Sequence, residues 1–172
     1  SGILQSKMEE AGINYTGSDF EACKNTWDKK ICKNILRQHN LPTPDFLVYE
    51  TFQKIIESKN EINKQFQKGA FIKPSKEGSS IDIIKVEDFS KCDLQKIKSN
   101  LVDEDREFLV EKFIEGREFT VGLLNDEILE PLEIITKREF YDYEAKYDDD
   151  DTEIIKAHLS EKDLHTLKLI AR

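Results

Sequence analysis

The chain has 172 residues, enough for one ordinary domain or two small ones. Its hydrophobic content of 38% is low against 35% charged residues, yet clear amphipathic periods argue against disorder. A net charge of -9 speaks against a general nucleic-acid binder, since phosphate backbones are held by excess Lys and Arg, though it leaves room for a small anion held by a few local lysines. No apolar run reaches the length of a membrane span and no signal peptide is evident. Cys23, Cys32 and Cys92 lack metal-type spacing, so the expectation is a cytoplasmic protein with reduced thiols.

In chain order, Ile3, Leu4 and Met8 mark a first helix that Gly12 is placed to end. "INYTG" reads as a short strand, and "SDFEACKNTW" as a helix with the capping pattern Ser18 to Glu21. Asp28 is placed to cap a further helix, with Ile31, Cys32, Ile35 and Leu36 as its buried stripe; the prolines of "NLPTP" end it. "DFLVYE" reads as a strand, and Phe52, Ile55 and Ile56 begin another helix. "AFIKP" and "IDIIKV" are strands around a turn, and Leu94, Ile97 and Leu101 mark the next helix. "EFLVEKFI" is a strand, "REFTVGLL" and "EILEPLEII" a hairpin about Asn125-Asp126, and a tyrosine-rich loop follows to about Asp151. Hairpins mixed with helices indicate an α+β fold with largely antiparallel pairing.

The turn "KEGSS" after Lys73 carries the first chemical signal. Glycine lets backbone approach a ligand closely, successive N–H groups form a concavity suited to an anion, and lysine adds charge. By itself the stretch reads more readily as an ordinary hairpin loop, and the two common phosphate fingerprints are absent. His39, His158 and His165 are scattered and expected at the surface. The run Asp148 to Asp151 is expected to be a solvated loop, and no metal site is assigned.

"YTGS", "DKKICKNIL", "LPTP", "KPSKEGSS", "VEKFIEGREFTVGLL" and "FYDYEAKY" occur in an order that resembles the D-alanine–D-alanine ligases of the ATP-grasp superfamily. The resemblance runs from about Gly2 to Arg172. It implies an ATP-grasp fold: residues 1–17 as the tail of an N-terminal domain, 18–112 as the central domain, and 113–172 as the start of a C-terminal domain with a lid at 137–151. Both ends look cut, so a fragment is expected, and one unable to make D-alanyl-D-alanine alone.

The resemblance also implies roles. Lys29, Lys73 and Lys146 reach the ATP phosphates, and Ser80 donates its backbone N–H to them. Ser79 meets Tyr147 to latch the hairpin. Glu111, Lys112, Phe113 and Ile114 hold adenine, and Glu118 accepts from the ribose hydroxyls. Asp82 stands where the family usually has glycine; a carboxylate there would repel the triphosphate unless strand alternation turns it to solvent, with Ile81 and Ile83 inward. The reaction implied is ATP-dependent phosphorylation of one D-alanine, then attack by the amine of a second, for peptidoglycan synthesis. Mg²⁺ would be held by residues outside this chain, and the full-length family is commonly dimeric. Other ATP-grasp carboxylate–amine ligases, or a non-catalytic nucleotide-binding module, are the competing readings.

Overall fold

The structure is a computed structural model, and it describes residues 1–125, 127–137 and 152–171. The chain divides into two compact units, 1–114 and 115–172.

The first unit is built on four strands: β1 (Phe46–Tyr49), β2 (Ala70–Pro74), β3 (Ile84–Val86) and β4 (Phe108–Lys112). They pair antiparallel in the order β1-β4-β2-β3. Strand alternation gives this sheet two chemically different faces. Ala70, Ile72, Val86, Phe108 and Val110 belong to the core, with Phe52, Ile55, Ile62, Phe66, Phe89 and Leu94. Those partners come mainly from α4 (Phe52–Glu57), α5 (Lys59–Gln65) and α6 (Leu94–Lys98). Phe52 meets Phe108 edge-on at 5.4 Å between centroids, a preferred aromatic geometry. On the opposite face, Phe71 pairs with Glu111 and Lys73 with Leu109. The sheet is therefore apolar on one side and chemically equipped on the other.

Three further helices precede β1: α1 (Ile3–Glu10), α2 (Phe20–Trp27) and α3 (Lys29–Gln38). Asp19, not Ser18, caps α2, accepting from Ala22 N at 2.8 Å. Asp28 caps α3 as expected, accepting from Lys30 N at 3.0 Å and Ile31 N at 3.2 Å. The stripe on α3 differs from expectation: Ile31, Cys32, Ile35 and Leu36 are only half-buried, and Lys33 is the buried residue. "INYTG" forms no strand, because Ile13 N turns back to Met8 O at 2.9 Å and closes the end of α1.

The second unit contains β5 (Glu118–Thr120), β6 (Leu123–Leu124), β7 (Glu127–Ile128), β8 (Leu132–Ile135), β9 (Glu153–Lys156) and α7 (Glu161–Ala171). β5, β8 and β9 form one antiparallel sheet, and β6 and β7 a separate short hairpin. Leu124 pairs with Glu127, so the expected turn is in place; Asn125 takes the left-handed conformation (φ 55°) that such a turn needs, while Asp126 lies outside the described residues. β9 is absent from the sequence-based expectation: "TEIIK" is short, and it becomes a strand by pairing Ile154 with Ile134 and Ile155 with Glu133. Arg117 locks this unit with a two-pronged pair to Glu133 at 2.7 and 2.6 Å, and it also donates to His158 O at 3.1 Å. Ser160 and Asp163 form a capping pair at the start of α7.

Candidate functional site

The equipped face of the first sheet pairs two lysines with one carboxylate and has a third lysine close by. β2 carries Lys73, whose Nζ lies 2.7 Å from Glu111 Oε1 on the neighbouring β4. α3 brings Lys33, whose Nζ lies 2.8 Å from Glu111 Oε2 and donates to Thr43 Oγ1 at 2.6 Å. The Lys33 ammonium also lies 5.0 Å from the centre of the Phe46 ring, a cation–π contact. Side-chain exposures of 8% for Lys33 and 12% for Glu111 make this a buried pair. Burial alone would raise the Glu111 carboxyl, but the Lys73 and Lys33 ammonium groups hold it below the ordinary glutamate value.

Lys29 is the third cation. As the first residue of α3 it donates its backbone N–H to Ser75 O at 2.9 Å and its ammonium to Glu77 O at 2.7 Å. It thus fastens the start of the helix to the root of the β2–β3 turn. Burial, then the nearby Lys73 charge, pushes Lys29 below the ordinary lysine value. An anion arriving beside Lys29 would favour its charged form.

Asp28 organises this corner. It is buried, caps α3, accepts from Ser75 Oγ at 2.9 Å and lies 3.6 Å from Lys76 Nζ. Burial works against its charge, yet the Ile31 N–H, the Ser75 hydroxyl and Lys76 hold its carboxyl below the usual range. Asp28→Ala is expected to cost about 1–2 kcal/mol, the upper part of the range for a lost helix cap. Urea unfolding checks it; a loss below about 0.5 kcal/mol would show that the cap is idle.

The turn from Gly78 to Ile83 is strained. Ser79 (φ 51°), Ser80 (φ 59°) and Asp82 (φ 52°) all sit in the left-handed region, where non-glycine residues are uncommon. Strain of this kind gathers at ligand clamps. Asp82 adopts the backbone form that glycine takes freely, which fits the glycine expected at its position. It does not turn to solvent: the carboxylate is paired with Arg106 and its side chain is only 12% exposed, whereas Ile81 is 40% exposed.

The adenine-assigned segment is split by strand alternation. Glu111 and Phe113 are half-buried, and the Phe113 ring meets Phe71 in a tilted contact at 5.8 Å between centroids, with Lys85 Nζ 4.8 Å from its ring centre. Lys112 and Ile114 are exposed. Glu118, in the second unit, is an exposed residue opening β5 opposite Ile134. Lys146 and Tyr147 lie outside the described residues, as does nearly all of the lid at 137–151. Sequence reasoning overlooked Lys33, Lys85 and Arg106. For Lys33 a signal existed: it follows Lys29 by four positions, one helical turn along the same face.

A separate shallow cavity of about 600 Å³ lies beside α1, lined by Leu4, Gln5, Met8, Asn14, Tyr15 and Thr16. That lining has no cation to hold a polyphosphate. Among the described residues no group of three His, Cys, Asp or Glu side chains is arranged to hold a metal. No helix there is long and apolar enough to cross a membrane. The three histidines are exposed.

The family described as "D-ala D-ala ligase C-terminus" matches residues 35–172. The chain belongs to this ligase family. The D-alanine–D-alanine ligase of Haemophilus ducreyi is 36% identical over 171 residues, covering 99% of this chain and 55% of that protein. Among solved structures, the D-alanine–D-alanine ligase of Bacillus anthracis superposes with a TM-score of 0.79 at 30% identity, covering 99% of this chain and 54% of that one. A structure of that ligase in complex with ATP gives 0.70 at 26% identity, covering 98% and 53%. The VanG D-Ala:D-Ser ligase of Enterococcus faecalis gives 0.79 at 27%, covering 99% and 50%. The ATP-grasp fold and the α+β class are thereby shown. The chain spans about half the length of the ligases it matches.

Proposed function

We propose that the protein carrying this chain is a cytoplasmic D-alanine–D-alanine ligase that uses ATP, supplying D-alanyl-D-alanine for peptidoglycan. The observation that carries the reading is the cluster of Lys29, Lys33 and Lys73 around Glu111, beside a strained serine turn. Lys33 and Lys73 share the Glu111 carboxylate and Lys29 stands beside Lys73, so the corner brings several cations to where a polyphosphate would lie. The ATP complex of the Bacillus anthracis ligase supports ATP as that polyphosphate.

In this reading Lys29 and Lys73 hold phosphate oxygens and Ser80 adds its backbone N–H. Ser79 keeps the turn shut with Tyr147, and Lys146 brings a further charge. Glu111, Lys112, Phe113 and Ile114 form the adenine segment, and Glu118 takes the ribose hydroxyls. A D-alanine carboxylate oxygen attacks the γ-phosphorus and ADP leaves. The amine of a second D-alanine then attacks the acyl carbon, and phosphate departs with the C–O electron pair. Positioning and charge stabilisation are the protein's main contributions. Lysines suit that task as mobile point charges. Mg²⁺ would offset part of the triphosphate charge, its ligands lying outside the described residues. A homodimer belongs to the same proposal.

A second reading, in which D-serine is the attacking amine, draws on the likeness to the VanG ligase. One assay separates them. The full-length protein, given Mg-ATP and D-alanine with or without D-serine, is expected to release phosphate and form D-alanyl-D-alanine, identified by mass. Preferential D-alanyl-D-serine would favour the second reading. No amide product with either amine would refute both.

A further inference from the structure

The strained serine turn has no glycine at position 82 to accept its positive φ, yet Ser79, Ser80 and Asp82 all stay in the left-handed region. Such conformations persist only where the surroundings over-determine them. Within the turn, Ile81 N donates to Gly78 O at 3.1 Å and Ile83 N to Ser80 O at 3.3 Å. Arg106, in the loop before β4, adds a longer-range restraint. One terminal nitrogen of its guanidinium donates to Glu77 Oε1 at 3.0 Å, and the other pairs with Asp82 Oδ2. Glu77 and Asp82 flank the turn on its two sides. Val102 N also donates to Asp82 Oδ2, at 3.3 Å.

The pairing is sheltered. The side chains of Arg106 and Asp82 are 16% and 12% exposed, and the guanidinium carbon lies 5.6 Å from the centre of the Phe108 ring. Arg106 Nε is buried without a hydrogen-bond partner, so the whole polar engagement of this side chain runs through its two terminal nitrogens. A planar, forked cation is suited to gripping two carboxylates at once; a lysine ammonium would act as a point charge.

We propose that Arg106 is a strap across the serine turn: it grips Glu77 and Asp82 and holds Ser79 and Ser80 in the shape that receives a nucleotide phosphate. Asp82 is then a positioning residue with its charge neutralised, and it does not repel phosphate. The structural half of this proposal stands on the contacts alone; its link to phosphate rests on the nucleotide reading given above.

Hydrogen exchange on the full-length protein tests the two halves separately. In Asp82→Asn, which keeps a residue tolerant of positive φ but removes the charge, the Ile81 and Ile83 amides are expected to exchange at least about tenfold faster, with core amides in β2 and β4 unchanged. Arg106→Gln is expected to do the same, and Arg106→Lys to recover part of the protection. Unchanged exchange at Ile81 and Ile83 in Asp82→Asn overturns the strap whether or not ATP binds. For the phosphate link, Asp82→Asn is expected to weaken ATP binding several-fold in calorimetry. Tighter binding would show that the carboxylate opposes phosphate and would overturn the positioning role. A wild-type protein that binds no ATP would fail the nucleotide reading, while the exchange result would still decide the strap.

Discussion

Glu111→Gln is expected to destabilise the first unit by about 3 kcal/mol or more, because it leaves the buried Lys33 ammonium without its counter-charge. Removing one member of a buried pair costs more than the pair itself contributes, since the remaining ion has lost its water as well as its partner. Thr43 and the Phe46 ring still face Lys33, but neither carries a charge. The remedy follows from the same physics: adding Lys33→Met is expected to recover most of the loss. The pH dependence has a definite sign. The folded-state carboxyl of Glu111 lies below its ordinary value of 4.5, so its stabilisation is complete above about that pH. It is lost as the pH falls through the lowered folded value. The gap between wild type and Glu111→Gln should therefore be widest near neutrality and close in acid. Urea unfolding across pH measures it; a gap independent of pH would mean that the ion pair is not its source.

Lys73→Ala is expected to weaken ATP binding by about 10–100-fold in the full-length protein, the equivalent of one charge-assisted hydrogen bond of about 1.5–3 kcal/mol. Two effects act in the same direction. The cation assigned to phosphate in the proposed reading is gone, and Glu111 keeps only Lys33, so the corner loses half of the charge that offsets its carboxylate. Folding should largely survive, because Lys33 remains paired and Lys73 is 21% exposed. Lys54→Ala removes an exposed lysine of α4, paired only with Glu57 three residues on, and should leave affinity unchanged. Calorimetric titration of both variants reads the difference. Equal affinities would remove Lys73 from the phosphate site.

The features legible in the sequence were those set by short-range rules. Short apolar stretches in "AFIKP" and "EFLVEKFI" located β2 and β4, and Asp28 ahead of a helical run marked a cap. Asn125 identified a turn because few residues accept positive φ. The misses share one cause, dependence on a partner distant in the chain. "TEIIK" becomes β9 only because β8 offers an edge, and "INYTG" stays irregular because its backbone closes on α1.

The site was half legible for the same reason. Lys73 and the serines stand in a local turn motif, whereas Lys29 was reached only through the family resemblance. Lys33 lies among apolar neighbours on α3, and nothing nearby in sequence announces that Glu111, far along the chain, will bury it. Glu111 was assigned to the adenine strand; its two oxygens also bind Lys33 and Lys73, a role that only the β2–β4 register reveals. Asp82 could be recognised as a departure from glycine, but its neutralisation depends on Arg106, 24 residues away.

The most direct test of the central claim is a structure of the full-length protein with a non-hydrolysable ATP analogue and Mg²⁺. The account predicts the ammonium groups of Lys29 and Lys73 at about 3 Å from phosphate oxygens, with the Ser80 N–H directed at the same tail. A nucleotide bound with its phosphates elsewhere, while Lys73 stays on Glu111 alone and Lys29 on Glu77, would contradict it.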